Sequence, residues 1–279
     1  MQADDRRRVL EEKARASRLG AIEALHEAGG GHFGGVLSEI DILTVLYNGI
    51  LTVDPRTPHG PNRDFFILSK GHGAVGLAAV LAEAGFIGKE TLKTYKQLGS
   101  TLGWHTTKKM PGIEHPTGSL GHGLSVAVGI ALARRVDGKA PRVFVLLGDG
   151  ECDEGAVWEA AMSAAKYRLE NLTAIVDRNR HNLDAPTEVE MPLEPFAEKW
   201  RAFGWAPRYV DGHDVIALWS SLVDVPFESG RPSVLIANTT KGKGVPFMED
   251  VSEWHSSATT PEQFELAVRG LREARQGGR

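Results

Sequence analysis

The run Val143-Phe-Val-Leu-Leu147, followed at once by Gly148-Asp149-Gly150, constrains this chain more than any other stretch. An unbroken β-branched and apolar run of this length reads as a strand buried on both faces, the habit of parallel sheets. From Glu154 to Arg168, Val157, Ala160, Ala161, Ala164 and Ala165 recur at helical spacing. A second buried run, Leu172-Thr-Ala-Ile-Val176, leads into Asp177-Arg178-Asn179. The predicted unit is βαβ, with Asp149 and Asn179 both leaving the carboxyl ends of parallel strands. Ligands gather at that edge of an open α/β sheet.

A carboxylate and an amide oxygen at that edge suit a hard cation, Mg²⁺ or Ca²⁺. Mg²⁺ takes one or two protein carboxylates and completes its shell with phosphate oxygens. Gly148 and Gly150 let the backbone approach those phosphates, and a helix opening near Glu154 offers free N–H groups. Gly-Asp-Gly alone is a turn signal. The order strand, Gly-Asp-Gly, helix, strand, Asn is far more restrictive.

At 279 residues the chain can bury a large core. A formal net charge of -4, with no basic stripe, argues against a nucleic-acid surface. No apolar run is expected to reach membrane-spanning length. The charged start, Met1 to Arg8, enters a helix rather than an apolar signal segment. The lone Cys152 excludes an internal disulfide and fits a reducing cytosol. Without a Cys-His-Asn or Cys-x-x-Cys pattern it reads as a small helix-entry residue.

Residues 6–28 are predicted helical, and the glycine-rich stretch 29–35 separates them from a second helix near Ser38. Ser38 is expected as its N-cap, with Asp41 completing the turn. A short strand over 65–68 precedes a helix opened by Ser69-Lys70-Gly71-His72-Gly73. Residues 98–117 read as a long functional loop, and 118–123 enter a helix over 124–134. Beyond the βαβ unit come an irregular crossover over 182–195 and a helix through Trp200 and Phe203. A strand at 207–210, a helix at 214–223 and a strand at 233–238 follow. Residues 240–244 are expected as a mobile basic loop and 261–274 as a last helix. The fold class is α/β: one domain over 1–279, a parallel sheet between helical layers, with about 1–8 and 275–279 as frayed tails.

Several motifs run collinearly: Gly31-His32-x-Gly34-Gly35, Asn62-Arg63-Asp64, the Ser69–Gly73 block and Thr117-Gly118-Ser119-Leu120-Gly121. The GDG–Asn pair, Asp211-Gly212-His213-Asp214, and Lys241-Gly-Lys-Gly244 with Trp254-His255 complete the series. In these the chain resembles the amino-terminal half of a transketolase, specifically the first, diphosphate-binding subunit of a split, two-chain transketolase, over about residues 15–260. The resemblance implies the thiamine diphosphate fold of the diphosphate-binding (PP) type, with thiamine diphosphate and Mg²⁺ (or Ca²⁺) as cofactors. It implies Asp149, Asn179 and the backbone carbonyl of His181 as metal ligands. Gly118, Ser119, Leu120, Gly148 and Gly150 would lie near the cofactor, and Leu183 near the thiazolium. Glu154 and Glu159 match acidic residues that link two cofactors across a dimer interface. His32, His72, His105 and His255 match the channel where the sugar's first carbons meet the thiazolium. His32 and His255 are expected to handle protons, and His105 and His72 to bind donor hydroxyls or cofactor phosphate.

In this family the glutamate that contacts the aminopyrimidine, and the arginines for the substrate's distal phosphate, belong to a second domain. The resemblance therefore implies a separate partner carrying the pyrimidine domain, an α₂β₂ assembly, and cytoplasmic transfer of a two-carbon ketol unit from a ketose to an aldose. Neither nucleic acid nor membrane is expected as a partner. Four positions depart from the pattern: His122, Trp104 beside His105, Phe33 after His32, and the pair Arg180-His181. They suggest a pocket reshaped for a specialised sugar, with Trp104 and Phe33 as the grounds. The α subunit of a 2-oxo acid dehydrogenase shares the GDG–Asn pair, and a 1-deoxyxylulose-5-phosphate synthase fragment shares Lys-Gly-Lys-Gly. A non-catalytic scaffold of the same fold is a third alternative.

Overall fold

The computed structural model describes residues 3–138 and 141–273. Five strands form one parallel sheet in the order β1-β2-β3-β5-β4. They are β1 (Phe65–Leu68), β2 (Val143–Gly148), β3 (Leu172–Arg178), β4 (Ala206–Asp211) and β5 (Ser233–Asn238). The helices are α1 (Ala3–Glu27), α2 (Phe33–Val45), α3 (Ala74–Glu83), α4 (His122–Val136), α5 (Gly155–Lys166), α6 (Thr187–Glu190), α7 (Phe196–Ala202), α8 (Val215–Val223) and α9 (Pro261–Glu273).

Because successive strand side chains point to opposite faces, the apolar runs divide between two cores. Phe66, Phe144, Leu146, Ile175 and Leu235 join the core of α1, α2, α3, α8 and α9. Ile67, Val145, Leu147, Val176 and Ile236 join the core of α4, α5 and α7 on the other side. The chain steps from β1 to β2 to β3, crosses to the edge strand β4, and returns to place β5 beside β3. The strand order therefore reverses between β3 and β5, and the crevice beyond their carboxyl ends is where an open α/β sheet binds ligands.

Several expectations are corrected. Ser38 is not an N-cap: α2 begins five residues earlier at Phe33, and Ser38 lies within it, donating to Asp177 Oδ2 at 2.6 Å. Every residue of α2 is buried, so its polar side chains serve the interior. Phe33–Ile50 is also apolar and long enough to span a membrane, against the expectation that no run is. With 89% of it buried in the fold, it is a core helix. Residues 3–8, expected to fray, are helical, and Arg7 Nη2 reaches Asp214 Oδ1 at 3.1 Å. The expected tail at 275–279 lies outside the described residues.

Two of the motifs act as internal ties. Arg63 is ion-paired with buried Glu114, and Asp64 accepts from Arg142 Nη2 at 2.7 Å and from Thr52 N at 2.9 Å. His213 joins Asp41 Oδ2 at 2.7 Å to the backbone N–H of Thr240 at 2.8 Å. Asp214 caps α8 by accepting from Ile216 N and Ala217 N.

Candidate active site

The ends of β2, β3 and β5 open into a cavity of about 250 Å³, lined in part by Lys70, Asp149, Asn179, Asn182, Lys241 and His255. Asp149 follows β2 directly. Its Oδ1 accepts from Gly150 N at 2.9 Å, and its Oδ2 from Arg180 N at 2.5 Å and Arg178 Nη1 at 3.2 Å. Burial raises its pKa to about 6, although Arg178 pulls the other way. A cation would favour the ionised form. Asn179 follows β3, and its Oδ1 accepts from His181 N at 3.1 Å. That turn is held by Arg180 at φ 67, a left-handed conformation unusual for a residue with a side chain.

Beneath these two lies a closed charge cluster. Lys70 Nζ donates to Asp177 Oδ2 at 2.6 Å and Gly35 O at 2.7 Å, with Glu39 Oε2 at 3.0 Å. All three side chains are buried. Two carboxylates share one ammonium, and their protonation divides accordingly. Burial raises Glu39 to about 8, whereas Lys70, Ser38 and Thr239 overcome burial and hold Asp177 below its ordinary value. Glu39 is packed against bare backbone: a Cβ at Gly73 or Gly76 would fall 2.4 or 2.7 Å from its Oε1. The second glycine of the Ser69–Gly73 block is thus explained.

Glu151 ties three motifs together. Its Oε1 accepts from Ser69 Oγ and from Gly121 N at 2.8 Å, and its Oε2 from Gly148 N at 2.9 Å. One buried carboxylate joins the turns before α3 and α4 to the turn after β2.

Three histidine rings meet at the cavity. His32 lies 5.0 Å from His72 and 5.6 Å from His255, and His72 lies 5.5 Å from His255. Burial, reinforced by neighbouring cations, lowers His32 to about 4 and His255 to about 3, and pushes His72 well below the ordinary value. All three are neutral at neutral pH. Lys241 Nζ lies 3.0 Å from His255 Nδ1 and donates to Asn182 O at 2.7 Å. An ammonium has no acceptor, so Nδ1 takes the hydrogen bond and the ring proton sits on Nε2. The basic loop is therefore corrected: Lys241 is 1% exposed, and burial lowers its pKa to about 8.

The remaining sequence candidates divide by position. Gly148, Gly150, Leu120, Leu183 and His181 line the cavity with Asp149 and Asn179. The His181 ring turns aside to Ser252 Oγ at 2.9 Å. His105 is exposed on its loop and close enough to bear on His32 and His72; the Gly118 backbone lies against its ring. Gly118, Ser119, Glu154 and Glu159 are all exposed and stand outside the lining. Phe33, offered as a pocket residue, is corrected: it is fully buried, with its ring 5.7 Å from Trp254. Glu39, Glu151 and Asn182 were missed as site residues. A single carboxylate inside the apolar run 33–45 was the available signal for Glu39.

The residues present fit a diphosphate with a hard cation. The donor set at the strand ends is all oxygen, and the adjoining backbone is bare at Gly148 and Gly150. A Cβ at Gly150 would fall 1.7 Å from Asn182 Oδ1, itself a buried oxygen without a partner. Residues 9–271 match the family described as "Transketolase, thiamine diphosphate binding domain".

The chain belongs to the transketolase family, as its thiamine diphosphate-binding part.

Among curated relatives, the first of the two subunits of the apulose-4-phosphate transketolase of Phocaeicola vulgatus is 42% identical over 265 residues, covering 95% of this chain and 94% of that protein. The 6-deoxy-6-sulfo-D-fructose transketolase subunit SqwG of a Clostridium species is 40% identical, covering 94% of this chain and 96% of that protein. Human transketolase is 38% identical, but only 42% of its length is covered. The crystal structure of the Campylobacter jejuni transketolase superposes with a TM-score of 0.89 at 28% identity, covering 95% of this chain and 43% of that one. End-to-end similarity to single subunits of split transketolases, and partial coverage of one-chain transketolases, favour the transketolase reading over the dehydrogenase and synthase alternatives.

Proposed function

We propose that this chain is the diphosphate-binding subunit of a two-chain, Mg²⁺-dependent transketolase that moves a two-carbon ketol unit from a ketose phosphate to an aldose. The observation that carries the reading is the meeting of Asp149, Asn179 and three neutral histidines at the carboxyl ends of β2 and β3. Asp149, Asn179 Oδ1 and the His181 carbonyl would hold the cation, while Gly148 and Gly150 leave space for the diphosphate. Leu120 and Leu183 supply the apolar wall beside the cofactor's ring. Thiamine diphosphate, when bound, supplies the electron sink that lets a carbon–carbon bond beside a carbonyl break.

This chain's own contribution is positioning and proton handling. His32, His72 and His255 are uncharged at working pH, so each ring offers one acceptor and one donor to the sugar's hydroxyls. Lys241 fixes the His255 tautomer, aiming an Nε2–H at the channel. His105, on the exposed loop, would close on the donor from the solvent side. Glu154 and Glu159 stand on the open surface, free to meet a second copy. The single domain would be completed by a chain carrying the pyrimidine domain, in an α₂β₂ heterotetramer. The lone buried Cys152 suits the cytoplasm.

Co-purification of the tagged chain from its native cell tests the reading. A companion of about 300 residues is expected, the ordinary scale of such domains. The pair should transfer ketol units only with thiamine diphosphate and Mg²⁺. A chain recovered alone and indifferent to both would restore the scaffold alternative.

A further inference from the structure

Of the side chains that depart from the family pattern, Trp104 alone stands over the histidine cluster. Phe33 packs into the core, and His122 is exposed, its Nδ1 turned back to Leu120 O. Arg180 offers its backbone N–H to Asp149. Trp104 is 50% exposed, and its indole meets the His32 ring edge-on at 6.3 Å. Lys96 holds it there. The ammonium sits 3.6 Å from the indole centroid and also donates to Gly30 O. Lys96 adopts φ 62, a backbone conformation that side-chain residues rarely take. The turn is therefore specific about where this cation goes.

The surroundings are short of hydrogen-bond partners. The Tyr95 hydroxyl is buried without one, as is His32 Nδ1. A Cβ at Gly31 would lie 3.4 Å from that hydroxyl and 3.7 Å from Lys96 Nζ. Polar groups thus gather on the His32 side, while the indole supplies an apolar face clamped by a cation across the open edge. A sugar hydroxyl pressed on that face would give up water for no acceptor or donor, whereas a C–H would pack well.

We propose that Trp104, clamped by Lys96, is a specificity-determining wall of the donor channel, selecting ketoses that present C–H rather than O–H to it beyond the reacting carbonyl. The inference rests on the transketolase reading and deepens it by naming the donor class. A glycine here, the more usual residue in the family, would leave room for a hydrated hydroxyl.

The test uses the assembled two-chain complex and two donors. Xylulose 5-phosphate carries hydroxyls beyond the ketol, whereas hydroxypyruvate carries only a carboxylate there. The quantity read is the ratio of kcat/KM for xylulose 5-phosphate to that for hydroxypyruvate. Trp104→Gly is expected to raise this ratio about tenfold, or 1.4 kcal/mol. Lys96→Met, which frees the indole but leaves it in place, should raise it by less. Unchanged ratios in both variants, in a complex that binds thiamine diphosphate by fluorescence titration, would overturn the wall alone. A wild-type complex that neither binds the cofactor nor uses either donor would overturn the transketolase reading and the wall with it.

Discussion

Lys70 is ion-paired to Asp177 at 2.6 Å with both side chains closed to solvent. Asp177 also takes Ser38 Oγ and Thr239 Oγ1, and Asn179 Nδ2 approaches it at 3.5 Å. The ion pair thus stands behind the amide whose oxygen faces the cavity. Replacing Lys70 with Met would strand a buried carboxylate. We expect a loss of about 3–5 kcal/mol in urea unfolding, the usual cost of breaking a buried pair from one side. A change within experimental error would show that Asp177 does not depend on Lys70 for its charge.

Glu39 gives the cluster a pH signature. Its folded pKa, raised to about 8 by burial, exceeds its unfolded value of 4.5. The folded form keeps a proton that the unfolded chain has released. Its contribution is full below the unfolded pKa and is lost as pH rises through the folded one. Glu39→Gln cannot ionise in either state. The stability of the variant relative to wild type should therefore grow between about pH 5 and about pH 8. Taking the difference cancels the opposite trend from His32, His72 and His255, whose lowered values disfavour the fold as pH falls. Parallel urea midpoints across that range would argue that Glu39 is ionised in the fold.

Chelation probes the strand-end oxygens. In the assembled complex, EDTA should release thiamine diphosphate, and added Mg²⁺ should restore it, followed by the cofactor's circular dichroism. Asp149→Ala should abolish the restoration, because Asn179 and a carbonyl alone give the cation no charge to bind. Cofactor retention by the alanine variant would remove Asp149 from the metal site.

The two aromatic departures should separate experimentally. Phe33 is fully buried against Trp254, so Phe33→Ala should cost about 3–5 kcal/mol through the cavity it leaves. It should leave the donor ratio that reports on Trp104 where it was. Thermal unfolding of the chain and the two-donor assay on the complex read these effects independently.

What the sequence made legible was what has a period or an order. The strands at 143–147 and 172–176 announced themselves by continuous apolar runs, and β5 spans the residues expected of it. Asp149 and Asn179 were legible because strand ends in a βαβ unit define an edge. What failed was inference from residue type where three-dimensional packing decides. Ser38 has the chemistry of a cap but lies inside a helix whose whole surface is covered. Lys241 sits among glycines, the pattern of a solvated loop, yet its stem is enclosed and its amine is held by Asn182 O and His255. Glu151 follows the GDG as an apparently ordinary acidic residue. Its three donors come from turns far apart in sequence, and no local pattern could have joined them.

The full burial of α2 has a consequence during synthesis. Its cover includes Ile175 of β3 and Leu235 of β5, which leave the ribosome long after Phe33–Ile50 has emerged. Until then the nascent chain carries an 18-residue apolar segment with no sheet to lie on. Such a segment attracts both chaperones and the membrane-insertion machinery. Glu39 and Asp41, buried near its middle, are the only carboxylates in that stretch. They make the unfinished helix a poor lipid span, so the charges that organise the finished interior also keep the growing chain in water.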